Sequence, residues 1–297
     1  MPSKKRNVTA IALSMLQELN SVWLFDCGEA TQHQILYTTI RPRKISKIFI
    51  THLHGDHIFG LPGLLGSRSF QGGDTKLDIY GPEGIKAFIE TSLHVSQTHL
   101  SYPIEVHEFN ESGLLFNENG FSVSCTELEH GIPSYGFRVA EANRPGELLV
   151  EQLKAAGIQP GPIYQQIKQN ETITLPDGRT IERAHFIGPE KQGRVLSIFG
   201  DTRNTQQNAA FVEGSDILIH EATFAADKRE LAHDYFHSTT AEAATLAKTA
   251  NVQQLILTHL SSRYQEEEEK LLLNEARAIF PNTDMAHDLS VFPIPLK

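Results

Sequence analysis

The amino-acid sequence predicts an α/β protein in which two sheets pack face to face and helices cover both outer faces. Two observations favour this fold class. Short apolar runs alternate with helical stretches in both halves of the 297-residue chain. Between the halves, a segment from about residue 105 to 139 alternates apolar and polar residues, which is typical of antiparallel strands. We predict one domain over residues 1–297, which is long enough to bury a large core.

The first half of the chain is predicted to begin with an apolar segment at 8–16 that pairs with a strand at 22–25. A helix is predicted over about 30–39, because Arg-Pro-Arg-Lys follows it and proline ends helices. The elements expected next are a strand at 47–50, a helix from Leu61, a strand at 77–80 and a helix with Pro82 in its first turn.

The second half resumes the strand pattern after a long interruption. Strands are predicted at 194–199, 216–219 and 255–257. An alanine-rich helix should run to Ala250, capped by the Ser-Thr-Thr at 238–240. A last helix is predicted over about 266–279, where the acidic run in its first turn suits the helix dipole.

The interruption at 141–191 differs from the rest of the chain. Proline and glycine punctuate it, and little of it has the period of a core element, so we predict an inserted flexible arm outside the central sheet. Between residues 141 and 190 it carries five Lys or Arg against seven Asp or Glu. To hold a nucleic acid, the segment would therefore have to use its own main-chain groups and a few well-placed side chains.

Composition limits the classes of function. The formal net charge of −10 argues against non-specific nucleic-acid binding, so any nucleic-acid site requires local basic patches. No apolar run approaches the roughly 20 residues that span a bilayer, and no clear signal peptide is visible, so we predict a cytoplasmic protein without a membrane partner. Cys27 and Cys125 form neither a disulfide framework nor a CxxC site, and both are expected to be buried.

The strongest chemical signal is a run of four potential metal ligands within six residues: His52, His54, Asp56 and His57. Three imidazoles and one carboxylate suit zinc or a related divalent ion. The run directly follows an apolar strand, and Gly55 relieves the backbone within it. One ion could take the first two ligands and a second ion the last two.

Further ligands are expected at the ends of other buried strands. His130, Asp201 and His259 each follow such a strand, and together they would complete two coordination shells, with Asp201 bridging both ions. Two ions held in this way can activate a water and stabilise an in-line phosphoryl displacement. The sequence therefore predicts a metal-dependent hydrolase.

These seven residues resemble the ligand set of the metallo-β-lactamase superfamily, whose fold is an αββα sandwich. Three further motifs narrow the resemblance to the ribonuclease Z family, the endonucleases that trim the 3′ end of precursor tRNA. Residues 2–7 match the family's PxKxRN loop, residues 220–223 its HEAT motif and residues 237–239 its HST motif. The inserted segment, with Gly161-Pro162 inside it, resembles the family's tRNA-binding arm. The match is to the short, bacterial form.

The resemblance implies two zinc ions per chain. One ion would be held by His52, His54 and His130. The other would be held by Asp56, His57 and His259, with Asp201 bridging the two.

The resemblance also implies catalytic and binding roles. Asp56 would act as general base, and His237 would donate a proton to the departing 3′ oxygen, oriented by Glu221. The implied substrate contacts are Lys4, Arg6, Asn7, Gly161 and Pro162. A second basic cluster at 41–47 could touch phosphates or be an ordinary solvated surface.

The start of the chain departs from the family pattern. Family members begin with a β-strand and a Gly-Thr-Gly turn before the PxKxRN loop, whereas Met1-Pro2 lies within that loop. We therefore expect the first strand of the fold to be missing, either because the start is misassigned at an internal methionine or because the chain is a genuine truncation.

Three functional hypotheses follow. The first is a zinc-dependent endoribonuclease that acts as a homodimer and leaves a 3′-hydroxyl on tRNA and a 5′-phosphate on the trailer. The second is another metal-dependent phosphodiesterase of the same fold, although a small substrate needs neither arm nor loop. The third is an RNA-binding protein made inactive by loss of the first strand.

Overall fold

The computed structural model describes residues 2–4, 6–203 and 206–297. The chain forms two compact units, of which the first comprises Met1–Val139 with Val195–Ile294 and the second Ala140–Arg194 with Pro295–Lys297. The α-helices of the described residues are α1 (Thr31–Gln34), α2 (Gly55–Ile58), α3 (Leu61–Phe70), α4 (Ile85–Val95), α5 (Val150–Ala155), α6 (Pro162–Gln169), α7 (Ala209–Val212), α8 (Arg229–Asp234), α9 (Thr240–Thr249) and α10 (Glu266–Ile279). No helix in these ranges is long and apolar enough to cross a bilayer.

The strands of the same residues form two large sheets and one hairpin. In chain order they are β1 (Ile11–Met15), β2 (Ser21–Phe25), β3 (Ile45–Phe49), β4 (Leu77–Pro82), β5 (Ile104–Phe109), β6 (Gly113–Glu118), β7 (Phe121–Leu128), β8 (Ser134–Glu141), β9 (Thr172–Thr174), β10 (Thr180–Glu182), β11 (Val195–Phe199), β12 (Ile217–Glu221), β13 (Gln254–Thr258) and β14 (Thr283–Met285). The first sheet has the order β1-β2-β3-β4-β5, and the second has the order β14-β13-β12-β11-β8-β7-β6.

Three apolar layers explain why the two sheets stack between helices. The middle layer contains inward-facing residues of both sheets, such as Trp23 and Phe25 of β2 and Ile256 of β13. The alternate residues of the same strands face outward: Leu24 packs with α3 and α4, and Leu255 packs with α9 and α10. This two-residue alternation within each strand produces an αββα sandwich, as the sequence predicts.

Several predicted elements differ in detail. The helix expected over 30–39 is only α1 followed by a 3₁₀ turn at Ile35–Tyr37, because Thr38 is extended and its hydroxyl donates to the Ile35 carbonyl. Pro82 ends β4 instead of opening a helix, and Gly84, with φ 106°, turns the chain into α4. β5 pairs parallel with β4 in the first sheet, so within the middle segment predicted as antiparallel the antiparallel pairing begins with β6 and β7.

The second unit contains the segment predicted as an arm. An antiparallel bridge between Arg144 and Lys191 brings its two ends together, and a second bridge joins Leu148 to Ile187. Beyond these bridges, α5, α6 and the β9–β10 hairpin surround a small core that the sequence pattern did not reveal. Its buried residues are Leu153, Ile158, Ile167, Ile173 and Leu175.

Both cysteines are buried and free, as predicted. Cys27 packs in the outer layer of the first sheet, and Cys125 lies in the layer between the sheets.

Candidate active site

The histidine run leaves the first sheet at the end of β3. Thr51 anchors this point, because its amide and its hydroxyl both donate to the carboxylate of Asp26 at 2.8 Å. His52 follows and is fully buried. The chain then turns at His54, whose extended backbone precedes α2, and α2 carries Asp56 and His57.

The predicted ligands form two neighbouring groups. His52, His54 and His130 make the first, in which Nε2 of His130 lies 3.2 Å from Nδ1 of His54. The second group consists of Asp56, His57 and His259. In it, Nε2 of His259 lies 3.5 Å from Oδ2 of Asp56.

Asp201 lies between the two groups. It follows β11 and is buried, and its Oδ2 is 3.8 Å from Nε2 of His52. The same oxygen is 3.6 Å from Nε2 of His57 and 3.4 Å from Nε2 of His259. One carboxylate thus faces imidazoles of both groups, which is the placement that a bridging ligand requires. The structure therefore brings all seven predicted ligands into one cluster.

In four of the clustered histidines, the ring nitrogen Nδ1 forms a hydrogen bond with a partner outside the cluster. Such outer hydrogen bonds fix the orientation of each imidazole and leave its Nε2 directed to the centre. The Nδ1 partners are the Thr51 hydroxyl for His52 at 3.0 Å, the Asp26 carboxylate for His57 at 2.8 Å, the Phe236 carbonyl for His130 at 2.9 Å and the Thr223 hydroxyl for His259 at 3.0 Å.

None of these four partners was identified as functional from the sequence, and Asp26 and Thr223 show two different reasons. Asp26 directly follows β2, so it has the same strand-end position that identified Asp201 and His259. Thr223 lies within the HEAT motif, but nothing in its spacing indicates a bond to a residue 36 positions later. The first could have been found by applying the strand-end argument to every carboxylate.

The chemistry of the cluster fits a divalent metal. Nε2 of His52 and Nε2 of His57 are buried, and neither has a hydrogen-bond partner in the described part of the chain. Leaving a buried polar atom unpaired is costly, and a cation between these rings would remove that cost. Burial lowers the pKa of His52, which favours the neutral imidazole that a metal ligand must be. Burial also acts to lower the pKa of His57, but the carboxylates of Asp201 and Asp26 raise it, and a metal ion would have to displace that proton. The contact with His259 holds the pKa of Asp56 well below its ordinary value.

His237 and Glu221 form a pair beside this cluster. Nδ1 of His237 donates to Oε1 of Glu221 at 2.9 Å, and the His237 ring centre is 5.5 Å from that of His259. Glu221 ends β12 and is buried. Its carboxylate also accepts three backbone N–H groups, those of Thr202 at 3.1 Å, Thr223 at 2.9 Å and Ser238 at 3.0 Å.

The protonation of this pair suits proton donation. Burial would favour neutral forms of both side chains, but their mutual hydrogen bond outweighs it. The pKa of Glu221 is therefore lowered and the pKa of His237 is raised. Because Nδ1 is engaged by Glu221, Nε2 is the nitrogen of His237 that can exchange a proton with a ligand.

A strained residue joins the pair to the first ligand group. Phe236, immediately before His237, has φ 58°, which is costly for a residue with a side chain. This conformation lets its carbonyl accept from His130 while the next residue faces Glu221. Arg203 covers the Phe236 ring at 4.3 Å and donates from Nε to Glu129 at 2.7 Å.

The predicted substrate contacts are less uniform. Lys4 is exposed, whereas Arg6 and Asn7 are tied to other parts of the chain. Gly161 and Pro162 begin α6 in the second unit. Lys5 of the same loop lies outside the described residues.

The second basic cluster loses one of its members to the core. Lys47 is buried, and its ammonium lies 4.5 Å from the centre of the Phe116 ring. It also pairs with Glu118 at 2.6 Å and with Asp78 at 3.6 Å. It is therefore not available to a phosphate.

Comparison with known proteins places this site in a family. A family model described as anti-Pycsar protein Apyc1 matches residues 7–143. Ribonuclease Z of Anoxybacillus flavithermus is 58% identical over 294 residues, which are 99% of this chain and 94% of that protein. Ribonuclease Z of Oceanobacillus iheyensis is 59% identical over 295 residues, which are 99% of this chain and 96% of that protein. The chain belongs to the ribonuclease Z family.

Solved structures agree with this assignment. The short form of human tRNase Z superposes with a TM-score of 0.72 at 31% identity, covering 99% of this chain and 95% of that one. The metallo-β-lactamase fold protein YhfI from Bacillus subtilis has a TM-score of 0.66 at 20% identity, with coverage of 97% and 92%. The predicted ribonuclease Z resemblance and the metallo-β-lactamase fold are therefore confirmed. Like the other members of the ribonuclease Z family, this chain is an endoribonuclease, and its fold and histidine cluster indicate metal binding.

Proposed function

We propose that this ribonuclease Z removes the 3′ trailer from precursor tRNA, leaving a 3′-hydroxyl on the tRNA and a 5′-phosphate on the trailer. The observation that carries the proposal is that the HxHxDH, HEAT and HST residues, in a chain nearly 60% identical to ribonuclease Z proteins, meet in one cluster. We expect the enzyme to act in the cytoplasm.

We propose two zinc ions as the cofactors. The first ion would be held by His52, His54 and His130. The second would be held by Asp56, His57 and His259, with Asp201 between them. When bound, such a pair neutralises charge on the scissile phosphate and lowers the pKa of water.

The protein's own groups would move the protons. Asp56 would accept the proton of the attacking water through its carboxylate. At the leaving group, His237 would donate its Nε2 proton to the 3′ oxygen as the phosphorus–oxygen bond breaks. Glu221 holds the ring through Nδ1 and stabilises the charged imidazolium before transfer.

A direct assay tests the proposed function. Incubation of the zinc-loaded protein with a 3′-extended precursor tRNA should release the trailer and leave a 3′-hydroxyl on the tRNA. Tight binding without cleavage would favour an RNA-binding protein. Cleavage of a generic phosphodiester alone would favour a hydrolase of small molecules.

The inserted segment is proposed to bind tRNA away from the scissile bond. Replacing residues 146–189 by a short glycine-rich turn should raise the KM for precursor tRNA by about 10-fold or more, because phosphate and backbone contacts dominate RNA affinity. The closure between Arg144 and Lys191 gives the join point. Hydrolysis of bis(4-nitrophenyl) phosphate should be unchanged, since none of the clustered ligands lies in the segment. An equal loss of both activities would contradict the arm's role.

We further propose a homodimer in which the arm of one subunit reaches tRNA bound by the other. A mixed dimer tests whether the arm of one subunit serves the other, and it also serves as the control for the arm deletion. One subunit lacks the arm, and the other keeps the arm but carries Asp201→Asn. Recovery of cleavage in the mixture, compared with either homodimer, is expected. No recovery, despite a dimer by light scattering, would mean that each arm serves its own subunit.

A further inference from the structure

The loop at residues 2–7 carries Lys4, Lys5 and Arg6, of which Lys4 and Arg6 lie in the described residues and have different surroundings. The amide of Ser3 donates to the Arg6 carbonyl at 2.8 Å, and the amide of Arg6 donates back to the Ser3 hydroxyl at 3.1 Å. These two bonds close a tight turn that exposes Lys4 at its tip. Arg6, in contrast, is folded back against the protein with a side chain only 16% exposed.

The guanidinium of Arg6 is occupied by the protein itself. Its Nη1 donates to the Ala286 carbonyl at 2.7 Å, and its Nη2 donates to Oε1 of Glu269 at 2.9 Å. Glu269 lies in the first turn of α10, and its side chain is also 16% exposed. The next residue of the loop is held as well, because the Asn7 amide donates to the Asp288 carboxylate at 2.9 Å.

We define the loop clasp as Arg6, Asn7, Glu269, Ala286 and Asp288. One positive and two negative side chains give it a formal charge of −1. An RNA phosphate approaching Arg6 would have to displace Glu269 while facing Asp288, and repulsion between like charges opposes this. The clasp is therefore suited to holding the loop and not to binding an anion.

Two packing routes connect the clasp to the active site. On one side, the Ala286 amide donates to the Leu257 carbonyl at 2.8 Å, two residues before His259. On the other side, Val8 packs on Gly28, where an added Cβ would lie 2.4 Å from Val8 Cγ2 and 2.2 Å from the Asp56 carbonyl oxygen. The segment after the loop is thus packed near the backbone of Asp56, and the clasp is joined by a hydrogen bond to the strand that precedes His259.

We propose that Glu269 is a positioning residue of the enzyme: through the loop clasp it fixes the turn that presents Lys4, and of the two described cations Lys4, not Arg6, contacts a substrate phosphate. The inference rests on the proposed function, because the phosphate belongs to the precursor tRNA. It assigns a role to an acidic helix residue that is distant in sequence from the loop and has no part in the chemistry.

The test compares Glu269→Gln with the matched control Glu267→Gln. Glu267 is exposed and lies in the first turn of the same helix, α10. Hydrogen exchange at the amides of residues 6–9 should accelerate about 10-fold or more in Glu269→Gln and stay unchanged in the control, since the clasp protects them. Arg6→Lys should accelerate it too, because lysine has one donor nitrogen, whereas two separate nitrogens of Arg6 reach Ala286 and Glu269. This measurement needs neither metal nor RNA. Unaltered amide exchange in both Glu269→Gln and Arg6→Lys would contradict the proposed role of the clasp.

Kinetics then separate holding the loop from binding the substrate. Lys4→Ala should raise the KM for precursor tRNA without changing amide exchange, and Glu269→Gln should raise both KM and exchange. Glu269→Gln added to Lys4→Ala should raise KM by less than the sum of the two separate free-energy effects, because Glu269 acts on the turn that carries Lys4. Full additivity of the two changes would show that Glu269 does not act through Lys4, and a lower KM in Glu269→Gln would assign phosphate binding to the released Arg6. Either result would overturn the proposal. If the unaltered protein cleaves no precursor, the exchange result still decides whether the clasp exists.

Discussion

Asp201→Asn is expected to reduce cleavage of precursor tRNA by more than about 100-fold and to lower the metal content of the protein. Loss of an outer-shell partner of a metal site already costs about 10–100-fold, and Asp201 faces the metal-binding atoms directly. Its Oδ2 lies within 4 Å of three imidazoles from both ligand groups. Asparagine keeps the size of the side chain but removes the charge that would be shared by two cations. Metal per chain should be measured by mass spectrometry, in parallel with single-turnover cleavage.

The control for this variant is Asp74→Asn, the same change at an exposed position after α3. It should leave activity and metal content at their original values. Both variants should keep the circular dichroism of the parent, because Asp201 lies beside the apolar layers and not within them. A fully loaded and active Asp201→Asn protein would contradict the proposed bridging role.

His237→Ala is expected to slow cleavage by about 10²–10⁴-fold, the usual contribution of a general acid, while metal content stays near that of the parent. His237 does not belong to either ligand group proposed for the ions. Its Nδ1 is committed to Glu221, and its distance of 3.9 Å to Oδ2 of Asp201 is the longest among the imidazoles around that oxygen. Loss of metal from this variant would contradict the assignment as the acid.

The leaving group provides a sharper test of the same residue. In a precursor whose scissile 3′ oxygen is replaced by sulfur, the departing thiolate needs no proton, so His237→Ala should cleave it nearly as fast as the parent does. The matched control is His185→Ala, which changes an exposed histidine of the inserted segment. Relative to the parent, this variant should behave in the same way on both substrates. An equal defect of His237→Ala on both substrates would mean that His237 positions the substrate instead of protonating it.

The ligand cluster could be predicted because its members share one local signal. Each of His130, Asp201 and His259 follows a buried strand, and strands of a common sheet bring such positions to one edge. The residues that orient the ligands gave weaker signals. Thr223 contacts His259 across 36 positions, and the Phe236 carbonyl belongs to a backbone conformation that its residue type does not favour.

The contrast between local signals and long-range contacts also explains where the predicted fold differs from the observed one. β2, β12 and α10 have strong local patterns, and their predicted positions are close to those observed. The partner of β5 is set by long-range pairing with β4, which its alternating sequence cannot specify. Arg6 belongs to the same category, because its partners Glu269 and Ala286 lie more than 260 positions away.

The way in which the inserted segment leaves and rejoins the sheet has an evolutionary consequence. β8 and β11 are adjacent, and the amide of Glu141 donates to the Arg194 carbonyl at 2.8 Å, so the two ends of the insertion are neighbours. Lengthening a loop between fixed, adjacent ends costs little conformational entropy. With its own apolar core, the segment can diverge, shrink or be exchanged between lineages without disturbing the hydrolytic scaffold. The proposed tRNA-binding segment and the hydrolytic scaffold can therefore evolve at different rates within one gene.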